Sequence, residues 1–234
     1  LQVLHDARID LLAGERIVEQ RRAHAHGGGA GEHEFERIGG ALDAALSDDG
    51  DGVTLRQFGA VGRIDYKLFN DDLHIGLEVG FASGDWAEDI NGRVNIRAAN
   101  PQHRDLVTNF TFDPDYHVDL ILFRRILGSV NNATYFKPHV QYDILDNLSA
   151  RVDLIYSLAN NPIGYPGNST NIGLELDGGL WYHNDEEGFS AGIAYGVLFP
   201  FDALKYPAQL WPYIISDVSP STPQTVQGRI AVKF

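Results

Sequence analysis

The 234-residue chain has no cysteine, no methionine and little positive charge, and each shortage removes a class of explanation. Without cysteine there are no disulfides and no thiolate metal sites. With 18 basic residues against 32 acidic ones and a net charge of −14, contacts with nucleic acid or polybasic contacts with lipid are not expected. No run of 18 apolar residues occurs, which excludes helical membrane spans. That exclusion does not reach transmembrane barrels, whose alternating strands of about ten residues leave the mean hydropathy near that of a soluble protein. The observed −0.19 therefore does not discriminate. A chain that opens on Leu1 with no signal-like segment and no Met is expected to be a processed protein or a fragment.

What is present is a period of two. Val226, Gly228, Ile230, Val232 and Phe234 fall on one face of a final strand, with Thr225, Gln227, Arg229, Ala231 and Lys233 on the other. The same division predicts strands around Phe58–Leu68, Leu73–Phe81, Phe136–Ile144, Ala150–Leu158, Ile172–Tyr182 and Phe189–Phe199. A weaker eighth covers Ala7–Ala13. Short polar turns at 70–72, 146–147 and 184–188 alternate with long connections at 22–52, 83–131, 160–170 and 200–223. This is the pattern of an up-and-down antiparallel β-barrel, with short periplasmic turns at one rim and long extracellular loops at the other. The apolar stretch Tyr116–Leu127 would spoil the parity as a ninth strand. It is expected instead to be a short helix within the second long loop, with Val118, Ile121 and Leu122 on one face.

Two features separate a membrane barrel from a soluble sandwich. On the apolar face, Tyr66, Tyr142, Tyr182, Phe189 and Phe234 lie near the short-turn rim, while Phe58, Phe81, Phe136, Tyr156 and Phe199 lie toward the other. Two aromatic belts suit the two bilayer interfaces. The opposite face carries charge of both signs. Arg63, Asp65, Glu78, Lys137, His139, Asp143, Arg151, Asp153, Glu175, Asp177 and Arg229 would line a lumen. In the second long loop, Arg124 and Arg125 flank an apolar LILF and are expected to meet wall carboxylates such as Glu78 or Asp153 if the loop folds inward. Packing over the rim or against a neighbouring subunit is the alternative.

Other candidate chemistry is thin. His24, His26, Glu32, His33 and Glu34 surround a glycine run without HExxH spacing, and the run lacks the Lys of a phosphate loop. Asp48, Asp49 and Asp51 resemble part of a calcium loop. The first and twelfth positions, where an EF-hand needs acids, are Ser47 and Phe58, so a surface Ca²⁺ contact is the most this stretch offers. Ser83, Ser157 or Ser190 with His74 or His139 supply residue types for a lipase, but no GxSxG elbow is present. No enzyme and no cofactor are expected.

The terminal TVQGRIAVKF, ending on Phe234, resembles the assembly signal of bacterial outer-membrane barrel proteins. The stretch NFTFDPDYHVDLILFRRILG (109–128) and the following YFKPHVQYDILDNLSARVDLIYSLAN are similar to an uncharacterised barrel family of deltaproteobacteria, distantly like porins and alginate-export channels. The resemblance covers most of 53–234. It implies an outer-membrane location, contact with lipid and lipopolysaccharide, and insertion by the barrel-assembly machinery. Family members are longer, so the resemblance implies that residues 1–234, expected to be one barrel domain, are the C-terminal half of a larger barrel. The function expected is a passive channel for small hydrophilic solutes. The alternative is a closed eight-stranded barrel with a structural or adhesive role, carried by its acidic loops.

Overall fold

The structure, a computed structural model, describes residues 8–12, 42–46, 53–69, 71–84, 106–184, 188–211 and 215–233. In chain order the strands are β1 (Arg8–Leu12), β2 (Leu42–Leu46), β3 (Val53–Gln57), β4 (Gly59–Leu68), β5 (Leu73–Ala82), β6 (Leu106–Val107), β7 (Ala133–Leu145), β8 (Leu148–Ala159), β9 (Asn171–Asn184), β10 (Phe189–Pro200) and β11 (Gln224–Val232). Eight of them form one antiparallel sheet in the order β1-β4-β5-β7-β8-β9-β10-β11. These are the eight strands that the alternation marks. A second, three-stranded sheet, β2-β3-β6, was not expected; its two-residue β6 pairs parallel to β3.

The large sheet is open. Among the described residues, β1 pairs only with β4 and β11 only with β10, so the expected closure into a barrel is not made by these eight strands alone.

Its burial is inverted relative to a soluble sheet. One face carries Ile64, Leu77, Val140, Leu154, Leu176, Ile193 and Ile230, all exposed, with Ile230 at 75%. The other face buries Glu78, His139, Asp153, Glu175 and Asp177, with Glu175 at 0%. A water-soluble sheet covers its apolar face and solvates its charged one.

The strand register sets the aromatics of the apolar face in rows. Phe136 pairs with Tyr156, which pairs with Leu174, which pairs with Phe199. Tyr142 lies six residues from Phe136 along β7, about 20 Å at the rise of an extended strand. Ile172, expected in this outward row, is instead fully buried. Ser157 pairs with Gly173 and Leu158 with Asn171, so Ile172 is the extra residue of a bulge and turns inward.

The inner wall alternates large and absent side chains. A Cβ on Gly80 would come within 2.1 Å of the Tyr135 ring, and one on Gly179 within 2.4 Å of the Trp181 indole. Rings can lie flat on the wall only because these positions are glycine. The apolar core, including Ala82, Tyr135, Ile155 and Leu198, sits on this inner face toward the long-loop end, beneath the second loop. Gly80→Ala is therefore expected to cost about 1–3 kcal/mol in equilibrium unfolding, the range for forcing a group into a packed site. Gly228→Ala, where a Cβ meets nothing within 4 Å, should cost under about 1 kcal/mol.

Candidate functional site

The inner wall carries its charges in cross-strand ladders. In one row Arg63 pairs with Glu78 and Glu78 with Lys137; in the next Asp65 faces Gly76, Gly76 faces His139, and His139 pairs with Asp153, which pairs with Asp177. Arg63 Nε donates to Glu78 Oε2 at 2.5 Å, and the Tyr135 hydroxyl donates to Glu78 Oε1 at 2.6 Å. Arg151 grips Asp153 through Nε and Nη2 at 2.7–3.0 Å, with Lys137 Nζ at 3.6 Å. His139 Nε2 lies 2.8 Å from Asp65 Oδ1. Asp143 takes Gln141 Nε2 at 3.2 Å and has His74 at 3.7 Å, while Arg229 is exposed near the β11 edge.

Across this wall runs a strap, residues 112–127 of the second long loop. Phe112, Val118, Ile121, Leu122 and Phe123 are all buried, each burial being worth roughly 1.5–3 kcal/mol. The expected grouping of Val118, Ile121 and Leu122 is found, but only Leu122–Leu127 is helical. That single turn is a π-helix, in which Ile126 N–H donates to Ile121 O at 3.0 Å. It ends on Gly128, whose left-handed φ of 82° a side chain would strain.

Three sets of contacts fasten the strap. The Tyr116 hydroxyl donates to Glu78 Oε1 at 2.8 Å and accepts from Arg63 Nη2 at 2.8 Å, with the guanidinium 5.6 Å from the ring centroid. Burial and the Glu78 charge push the Tyr116 hydroxyl up to about 12. Next, Lys137 Nζ donates to Val118 O at 2.6 Å. Finally, five successive backbone N–H groups end on carboxylates, the first three on the wall and the last two on the strap's own Asp119. Glu175 accepts from Leu120 at 3.1 Å, Ile121 at 2.7 Å and Leu122 at 2.9 Å, and Asp177 Oδ2 shares the Leu120 N–H at 3.0 Å. Asp119 accepts from Phe123 at 2.8 Å and Arg124 at 3.1 Å. Helical turns leave their first N–H groups without internal partners, and a buried carboxylate is their strongest acceptor.

The strap does fold onto the charged wall, but its two arginines do not fasten it. Arg124 and Arg125 are exposed, and the carboxylates expected to receive them are held by bases of the wall itself: Arg63 on Glu78, and Lys137 and Arg151 on Asp153. Arg124 does line a cavity of about 140 Å³ between strap and wall, together with His117, Asp119, Lys137, Asp177 and Trp181. Burial and the nearby Glu175 push the Asp119 carboxyl up to about 7.

The inward aromatics Tyr135 and Trp181 were not anticipated. Each sits beside another aromatic, in Tyr135–Phe136 and Trp181–Tyr182, so alternation requires one of each pair to face inward. Phe234, the Asp48–Asp49–Asp51 stretch and the residues around His24–Glu34 lie outside the described residues. Among the described residues no group of His, Asp and Glu is arranged to hold a metal ion, and no helix is long and apolar enough to cross a membrane.

Removing the carboxylate beneath the strap should release it. Glu175→Ala leaves the Ile121 and Leu122 N–H groups without an acceptor, while Leu120 keeps Asp177, at about 1–3 kcal/mol for each orphaned group while it stays buried. A loss of about 2 kcal/mol or more in equilibrium unfolding is expected, with faster tryptic cleavage after Arg124 and Arg125. Glu175→Gln keeps an acceptor oxygen and should lose less. No protein-family model, curated protein or solved structure matches the chain.

Proposed function

We propose that the chain forms part of the wall of a bacterial outer-membrane β-barrel that acts as a passive channel for small hydrophilic solutes, with the strap as its constriction. The observation that carries this reading is the inverted burial. A continuous apolar face stands open from Ile64 to Ile230, while the charged face is covered. In water such a face would be an aggregation surface; against acyl chains it is in its proper solvent. The aromatic rows are spaced about 20 Å apart, on the scale of the apolar band of outer-membrane barrels at about 25 Å. Lipid and lipopolysaccharide are then the partners of the outer face, and Phe234 is the group the assembly machinery would read.

The strap also bears on the runner-up. An eight-stranded closed barrel is filled by its own side chains, with no room for a further backbone segment. Here the inner face holds both its side chains and a strap with five buried apolar residues. That bulk calls for a wider barrel than eight strands enclose and argues against the closed structural or adhesive barrel.

Two measurements test the reading. In refolding into lipid, Leu154→Arg or Ile193→Arg should each cost about 2–4 kcal/mol, and Gln141→Arg on the inner face far less. Equal tolerance of both faces would defeat the membrane assignment. In planar bilayers, deleting 116–127 should raise conductance, and neutralising Arg124 and Arg125 should shift selectivity toward cations. No current with or without the strap would leave the structural barrel standing.

A further inference from the structure

Three carboxyl groups meet where the strap crosses β9. Asp119 comes from the strap, Glu175 and Asp177 from the wall. Glu175 and Asp177 accept the same Leu120 N–H, so their oxygens lie against one another. Asp177 is buried at 6% exposure, and its second oxygen, Oδ1, has no hydrogen-bond partner. A Cβ on Gly196 would stand 2.5 Å from that oxygen and 3.2 Å from Leu120 Cβ, so wall and strap close around it.

Among the described residues, the charges facing the trio do not balance it. From β7 comes Lys137, already donating to Val118 O and 3.6 Å from Asp153. From β8 comes Asp153, another carboxylate, whose Arg151 is bound to it bidentately. From β10 come Gly196 and Leu198, without charge. The strap adds His117 and Arg124, both exposed at the cavity. Like charges packed this closely do not all ionise together, and a proton shared among them removes the repulsion.

We infer that Asp119, Glu175 and Asp177 form a proton-operated latch, which holds the strap on the wall while protonated and releases it on losing its proton to water. The inference rests on the channel reading for its consequence, a passage narrower in acid and wider in base. The docking itself does not depend on that reading. The sign follows from Asp119, whose carboxyl is raised to about 7 from its ordinary 3.8. Its contribution to docking is complete below the ordinary value and is lost as pH rises through about 7.

The chain has no native cysteine, so a single cysteine reports strap release without background. Leu122→Cys places the thiol at a buried position, and Ile126→Cys at an exposed one on the same turn. The ratio of their maleimide labelling rates removes the titration common to both thiols, and the asparagine variants below, carrying the same cysteines, control for the effect of burial on the inner thiol. In the full chain in lipid vesicles, Leu122→Cys should label about tenfold more slowly than Ile126→Cys near pH 5.5 and approach parity above about pH 8. Adding Asp177→Asn or Asp119→Asn, which keep an acceptor oxygen but cannot ionise, should keep the ratio low throughout.

A ratio independent of pH in the otherwise unaltered chain overturns the latch, even if the channel conducts. So does a ratio that climbs equally in the asparagine variants. A ratio that follows pH in a protein carrying no current keeps the latch and rejects the channel.

Discussion

Glu175 is the contact on which the arrangement of strap and wall depends. A carboxylate with no exposed surface and, among the described residues, no base paired with it is costly to bury unless its oxygens are fully used. Here both oxygens are used by donors that the strap must place somewhere, the N–H groups of Leu120, Ile121 and Leu122. Each side solves the other's problem. The wall's acid would be intolerable without the strap, and the strap's first turn would be unsatisfied without the acid. The apolar residues then follow: once 120–122 are fixed, Ile121, Leu122 and Phe123 pack among Tyr135, Ile155 and Leu198.

The wall is shaped to receive that segment. Glycines stand where Tyr135, Trp181 and Asp177 lean over, so the inner face stays low despite its large side chains. Mixed charge serves the same end. Arg63 with Glu78, and Arg151 and Lys137 with Asp153, neutralise one another within the wall and leave its surface polar without a large uncompensated charge. The exception is the acid-rich patch at Glu175 and Asp177, which is where the strap lands. Nearby, Tyr116 joins the strap to the Arg63–Glu78 pair, so the fastening spans β4 to β9 rather than a single strand.

The strands and their two faces were legible because a period of two leaves a mark at every residue. That the second loop must pack against something was legible for a related reason: LILF is too apolar to stay in water and would break the strand parity as a ninth strand, but nothing in the sequence chose the inner face over the rim. The means of attachment was not legible. Arginines are visible in a sequence, so Arg124 and Arg125 drew the assignment, whereas backbone N–H groups are the same at every position. Which of them lacks a partner depends on where the helical turn starts, and that turn is one π-type turn at Leu122 rather than a helix over 116–127. The inward placement of Ile172 was hidden likewise, because a one-residue bulge shifts phase without any compositional sign. The small β2-β3-β6 sheet rests on a two-residue parallel pairing that no pattern of side chains announces.

If the sheet is part of a barrel, as proposed above, the same geometry bears on the width of that barrel. The strap's backbone lies only one side chain's reach above the sheet, because Asp177 Oδ2 accepts the Leu120 N–H at 3.0 Å. The strap occupies that layer over β4 to β10, with Tyr116 at one end and Leu120, beside Gly196, at the other. A barrel closed by β1 meeting β11 would have to bring its far wall into the space the strap already fills. Among the described residues, the unpaired edges of β1 and β11 and the strap-covered inner face are both compatible with a barrel of more than eight strands. A sheet that carries its plug on its inner face needs enough curvature radius to keep the opposite wall clear, and that radius is set by strand number.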